Sequence, residues 1–295
     1  MEEDFGFAVV GGDRRCAYLA QLLIAERRRV STVGLELSGL VDAAHIRPLD
    51  EALSTSDCVI LPLPLLDSDG RLFTRYSSEK YDVFSVLSSV NREAVVYAGR
   101  IPPYIRDFAK QRGVELHDYY LREELQRLNA VPTAEGAAEI LMKRLPVTLS
   151  GSRILVLGFG RTAEATAALL KAMGASVTVC ARKVEAAAHA KALGMGGMLF
   201  GDLSREHLDY DAAVNTVPAR VLTYEVLERL PRDCFLLDLA SAPGGIDTES
   251  AKRLGMASEC ALSLPGTVAP KTAGAIIKDT ILQMLSERGL GTCGE

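Results

Sequence analysis

Histidine is scarce in this 295-residue chain. There are four, His45, His117, His189 and His207, and no two share the i, i+4 spacing that would set a metal pair on one helix face. The expectation is a protein without a metal site. The six cysteines (Cys16, Cys58, Cys180, Cys234, Cys260, Cys293) are scattered, with no Cys-x-x-Cys pair. They fit neither zinc spacing nor a disulfide framework, which points to a reducing cytoplasm. An excess of positive charge is missing too. Thirty-three Lys and Arg stand against 38 Asp and Glu, a net charge of -5, which argues against a general affinity for nucleic acid. No run approaches the roughly 18–20 uninterrupted apolar residues of a membrane span. The opening Met1-Glu2-Glu3-Asp4 is acidic, so no signal peptide is expected.

What is present is enough chain for two domains, with 48% hydrophobic residues. Two cycles of alternating strand and helix patterns are visible. The first opens with Phe5–Val10 and the turn Gly11-Gly12-Asp13, followed by a helix from about Arg14. Strand-like runs recur at Val30–Val33, Cys58–Leu63, Ala94–Tyr97 and Val114–His117. The second has strands at Arg153–Leu157, Ser176–Cys180, Met198–Phe200, Ala212–Asn215, Phe235–Leu239 and near Met256–Ser258, then a long helix from about Thr272, which could cap it. The expected class is α/β, with two Rossmann-like, doubly wound domains and a cleft between them, the C-terminal domain binding the dinucleotide. The expected boundaries are 1–128 for a substrate or partner domain, 129–150 for a connecting helix broken or kinked at Pro132, and 151–295 for the cofactor domain with the last helix.

The strongest motif runs from Arg153 to Ala163. An apolar strand ends in Gly158-Phe159-Gly160-Arg161-Thr162-Ala163 and passes into an Ala- and Leu-rich helix. That is the turn in which a pyrophosphate rests on backbone N–H groups at a helix N-terminus. Gly158 permits the turn, Gly160 admits the phosphates, Ala163 is small enough for helix–strand packing, and Arg161 and Thr162 add a charge and a hydroxyl. The next strand ends in Ala181-Arg182-Lys183. An acidic residue there would hold the ribose hydroxyls of NAD, whereas two cations suit the extra phosphate of NADP. Their alternative is a solvated helix start, at some cost against the helix dipole. In the first cycle Asp13 places a negative charge where a phosphate would go, so no dinucleotide is expected there.

Other strand ends supply the remaining candidates. Asn215-Thr216-Val217-Pro218 would lie near the nicotinamide, or is simply a strand-ending turn. In Asp238–Asp247, Leu239 and Ala240 would line the cofactor and Ser241 could donate a hydrogen bond, while Asp238 could equally be a buried structural carboxylate. Lys271, in the loop Leu264–Gly274, could meet a substrate carboxylate or be solvated. Thr133 and Glu135 are the polar residues of Asn129–Ala137 best placed to reach a ligand, with helix capping as the competing role of Thr133.

Taken together, Gly11–Asp13, Asn129–Gly136, Val156–Thr162, Asn215–Pro218, Asp238–Asp247 and Leu264–Gly274 resemble the family of the dipicolinate synthase A subunit, the dehydrogenase component of an enzyme of spore-forming bacteria. The resemblance runs over nearly the whole chain. It implies NADP-dependent oxidation of a dihydrodipicolinate-type cyclic dicarboxylate from the lysine pathway, in the cytoplasm of the mother cell. It also implies a flavoprotein-like partner, the B subunit of that synthase, and a homo-oligomer is open. On this reading Arg15 and Lys271 take the substrate carboxylates, Glu135 is the base, and Thr133, Asn215 and Ser241 orient the substrate. Alternatives are another two-domain NADP oxidoreductase acting on a small oxo acid, or a non-catalytic NADP-binding partner protein.

Overall fold

The computed structural model describes residues 5–290. The acidic tetrapeptide at the start and Cys293 lie outside them. Two compact units are formed: one takes in residues up to Asn129 together with those from Ala269 onward, the other spans Ala130–Val268.

The first unit alternates β1 (Gly6–Val10), α1 (Arg14–Ala25), β2 (Arg29–Val33), α2 (Leu49–Thr55), β3 (Cys58–Ile60), α3 (Val83–Ser89), β4 (Val95–Ala98), α4 (Pro103–Arg112) and β5 (Glu115–Asp118). Its five strands are parallel in the order β2-β1-β3-β4-β5, so the strand order reverses between β1 and β3. Alternate residues feed opposite layers, as a period of two requires. Phe7 and Val9 enter the cluster with Leu19 and Leu23 of α1, while Ala8 and Val10 enter the one with Val83, Val86 and Leu87 of α3.

From this unit the chain leaves along α5 (Glu123–Arg144), a 22-residue helix that runs through Pro132 without ending there. The expected break is therefore corrected. A proline costs the helix one hydrogen bond, but Ala137, Ala138 and Leu141 on the following turns are buried in the core of the second unit. That burial outweighs the local preference, and it also puts Thr133 inside the helix rather than at a cap.

The second unit comprises β6 (Arg153–Leu157), α6 (Arg161–Ala172), β7 (Ser176–Ala181), α7 (Val184–Ala192), β8 (Gly196–Leu199), β9 (Ala212–Asn215), α8 (Tyr224–Leu227), β10 (Phe235–Asp238), α9 (Thr248–Arg253), β11 (Ser258–Cys260) and α10 (Leu264–Val268). Six parallel strands follow the order β11-β10-β9-β6-β7-β8. This is the doubly wound order of dinucleotide-binding sheets, with its switch point between β6 and β9. Ile154 and Val156 face the layer of α6, and Leu155 and Leu157 face that of α8 and α9.

The last helix, α11 (Pro270–Ser286), was expected in the second domain and belongs to the first unit instead. Ile277, Ile281 and Leu285, spaced four apart, form one stripe buried with Phe7, Val9 and Leu23. Gly274 permits the close approach, because a Cβ there would stand 2.5 Å from the Arg15 carbonyl oxygen. Arg122 clasps Glu287 beyond the helix end at 2.6 and 2.7 Å. The helix starts at Pro270 with Ala269 as N-cap, so Thr272 lies in its first turn and does not cap it.

Candidate dinucleotide site

The site begins at the switch point of the second sheet. Gly158, directly after β6, has φ +98°, and a Cβ there would stand 2.5 Å from Thr216 Oγ1. Glycine is required on both counts. Thr216 closes the turn from the β9 side, donating from its amide (3.0 Å) and its hydroxyl (2.8 Å) to the Leu157 carbonyl. Gly160 is the N-cap of α6, makes no side-chain cap, and a Cβ on it would meet nothing within 4 Å. The helix therefore presents its N-terminal N–H groups and positive dipole end beside open space. Ala163 is fully buried, which keeps α6 tight on the strand. Arg161 is exposed, Thr162 half-buried, and Phe159 rests edge-on against His189 at 5.5 Å between centroids.

The equivalent turn of the first unit is closed to an anion. Gly11 donates to Val33 O (2.8 Å), as Gly158 does to Cys180 O (2.8 Å), but here the Gly12 amide is also taken, by Phe73 O (2.6 Å). The Asp13 carboxylate caps α1, accepting the Arg15 amide at 2.9 Å. The same carboxylate accepts Arg15 Nε (3.0 Å) and Nη2 (2.9 Å), and Nη2 also donates to the Leu63 carbonyl. Burial works against the charge of this guanidinium, but the hydrogen bond and charge of Asp13 prevail and hold its pKa above the ordinary value. Arg15, the expected substrate-carboxylate ligand, is thus 4% exposed and engaged by its own neighbour two residues away. It positions the loop after β3 against the turn after β1.

Around the second sheet, the other expected cofactor residues gather at the carboxyl ends of the strands. Ala181 ends β7 in the core. Arg182 and Lys183 follow it exposed, Lys183 being the uncapped N-cap of α7. No acidic residue stands between β7 and that helix. After β9, Asn215 is completely buried and spends its amide internally. Its Nδ2 donates to Asp238 Oδ1 (2.7 Å) and Val217 O (3.0 Å), and its Oδ1 accepts from Val217 N (3.1 Å). Asp238 also accepts from Ala240 N (3.0 Å), Gly245 N (2.8 Å) and Ile246 N (3.3 Å). This pair holds the loops after β9 and β10 together, with Val217, Leu239 and Ser241 half-buried and Pro218 exposed around it. Gly245 is the unanticipated member. A Cβ there would fall 2.2 Å from Asn215 Nδ2, so the close approach of the loop requires glycine. The run Pro243-Gly244-Gly245 was its only signal in the sequence.

The remaining candidates lie on other elements. Thr133 and Glu135 lie two apart on α5, about 200° around the helix from each other, so they do not face one ligand from one side. Thr133 is half-buried. Glu135 is exposed on the face of Leu128, Val131 and Met142. Lys271 is exposed in the first turn of α11, in the other unit. Among the described residues, no group of three His, Cys, Asp or Glu is arranged to hold a metal, and no helix is long and apolar enough to cross a membrane.

Comparison with known proteins gives several findings. Residues 6–120 match the family model of the N-terminal domain of the dipicolinate synthase A subunit. The dipicolinate synthase A subunit of Bacillus subtilis (strain 168) is 30% identical over 283 residues, 95% of each chain. The crystal structure of the dipicolinate synthase A subunit from Bacillus halodurans superposes with a TM-score of 0.88 at 30% identity, covering 97% of this chain and 99% of that one. A transhydrogenase from Sinorhizobium meliloti, 14% identical with a TM-score of 0.68 over 98% of this chain and 94% of its own, shares the fold.

Proposed function

The chain belongs to the family of the dipicolinate synthase A subunit, and from that membership we propose that it oxidises a dihydrodipicolinate-type cyclic dicarboxylate to pyridine-2,6-dicarboxylate, with NADP as acceptor. The observation that carries the cofactor half is the uncapped, open N-terminus of α6 at Gly160, set beside a strand end that bears Arg182 and Lys183 and no acid. An anion is the natural occupant of such a terminus, and the cationic pair suits a 2′-phosphate. When bound, NADP supplies the acceptor for the hydride that leaves a ring carbon, while a proton leaves the neighbouring atom and the ring becomes aromatic.

The protein's own residues then have mainly positional work. The N–H groups at the start of α6 hold the pyrophosphate, with Arg161 and Thr162 beside it. Thr216 and the Asn215–Asp238 pair fix the walls built from Val217, Pro218, Leu239 and Ala240. Ser241 donates to the substrate, and Lys271 takes a carboxylate. Glu135 is the only carboxylate of the 129–136 segment and is assigned as the base. Thr133, on another face of α5, is assigned to orientation only. The relatives carry the name of one component of a synthase, and we assign this chain a flavoprotein-like partner as the other. Its setting on this reading is the cytoplasm of the sporulating mother cell.

Incubating the protein with the cyclic lysine-pathway intermediate and NADP, with and without the flavoprotein-like partner, tests the reading. Absorbance at 340 nm and dipicolinate should rise together. NADP binding without turnover favours a non-catalytic role, and turnover only on oxo acids favours the other oxidoreductase. Glu135→Gln should lose most of the rate, and full turnover in that variant removes the base assignment. Replacing Arg182 and Lys183 together by Ala should weaken NADP by roughly 10–100-fold and leave NAD nearly unchanged.

A further inference from the structure

Three non-glycine residues among those described have left-handed backbone, Arg27, Arg100 and Ser263. Arg27 follows the end of α1 and Ser263 precedes α10, where the chain turns at a helix end. Arg100, with φ +58°, is different: it stands at the carboxyl end of β4, on the sheet edge where ligands of doubly wound folds bind. A left-handed arginine is strained where glycine would not be. The conformation is held by a buried carboxylate. Asp118, 8% exposed, accepts the amide of Arg100 at 3.1 Å through Oδ1 and that of Ile101 at 3.0 Å through Oδ2. The same edge is tied to the loop after β3, since Gly99 donates to Pro62 O (3.1 Å) and Leu65 to Gly99 O (3.0 Å).

The guanidinium that this arrangement presents is exposed. It lies 5.9 Å from the centre of the Tyr120 ring, and no carboxylate pairs with it among the described residues. The other cation expected at this edge, Arg15, is buried against Asp13. We propose that Arg100 binds a carboxylate of the substrate through its planar donor fork, resting on the dicarboxylate reading above. The fork matches two carboxylate oxygens at once, and the ring beneath it limits the rotamers lost on binding.

Calorimetric titration of the full chain with pyridine-2,6-dicarboxylate tests this without needing turnover. Arg100→Gly removes the fork and relieves the backbone together. It should weaken binding roughly 10–100-fold, leave NADP affinity unchanged, and keep or raise Tm. Arg100→Lys, which retains charge and loses the fork, should fall between. Equal affinity in wild type and Arg100→Gly overturns the proposal, as does absence of binding to wild type. Weaker binding accompanied by a lower Tm also overturns it, since that is the mark of a structural role. Wild type that binds the dicarboxylate but never reduces NADP defeats the oxidation reading instead, and leaves the role of Arg100 to be decided by these affinities.

Discussion

Asp238 was ambiguous in the sequence, because a carboxylate ending a strand serves a ligand as readily as a loop. Its partners lie up to 23 positions away, and only folding brings Asn215, Ala240, Gly245 and Ile246 to it. Asp13 was legible as an obstacle to phosphate, yet its embrace of Arg15 was not. The pair is local, but its burial depends on Leu63 and the loop after β3. Gly158 and Gly160 were readable because the motif marks them locally: Gly158 takes a positive φ, and Gly160 starts the helix without a capping side chain. Asp238→Ala should strip an acceptor from four buried or half-buried donors and cost about 3 kcal/mol. Urea unfolding checks that figure, and NADP affinity should fall with it as the loops after β9 and β10 part.

Elements were predicted well where their hydrophobic period decided the matter and badly where their partner was distant in sequence. Strands β6, β7, β9 and β10 lie within a residue or so of the expected spans. The allegiance of α11 was not visible, since an amphipathic stripe says that a helix packs without saying on what. Ile281→Ala, at a fully buried position of that stripe, should cost about 3 kcal/mol by leaving a cavity, measured as unfolding of the first unit. The end of α11 also carries a pH dependence. Arg122 holds the Glu287 carboxyl below its ordinary value, and Arg288 does the same for Glu115. Both groups have folded pKa values below their unfolded ones, so their contribution is present above the unfolded value and is lost as pH falls through the folded value. Hydrogen exchange in the last turn of α11, corrected for intrinsic rates, should therefore be steady from pH 6 to 8 and accelerate below about pH 4.5. Steady protection down to pH 3 would contradict the tether.

At the scale of the molecule, two α/β units, each built on a parallel sheet, contrast at the turn after their first strand. In the first, a carboxylate caps the helix and the Phe73 carbonyl takes the Gly12 amide. In the second, the corresponding helix start is bare and a cationic strand end lies nearby. The contrast is the physical basis for placing the cofactor in the second unit, and it rests on a side chain present at Asp13 and absent at Gly160. Gly160→Asp copies the first turn into the second at a position where a Cβ meets nothing. Titration of wild type and Gly160→Asp with NADP, followed by the rise in Tm, is the most direct measurement. The account predicts a rise in wild type, about 2.7 kcal/mol of stabilisation at a hundredfold excess over Kd. In the variant the response should vanish while its own Tm holds or climbs. An equal NADP response in the two proteins would contradict it.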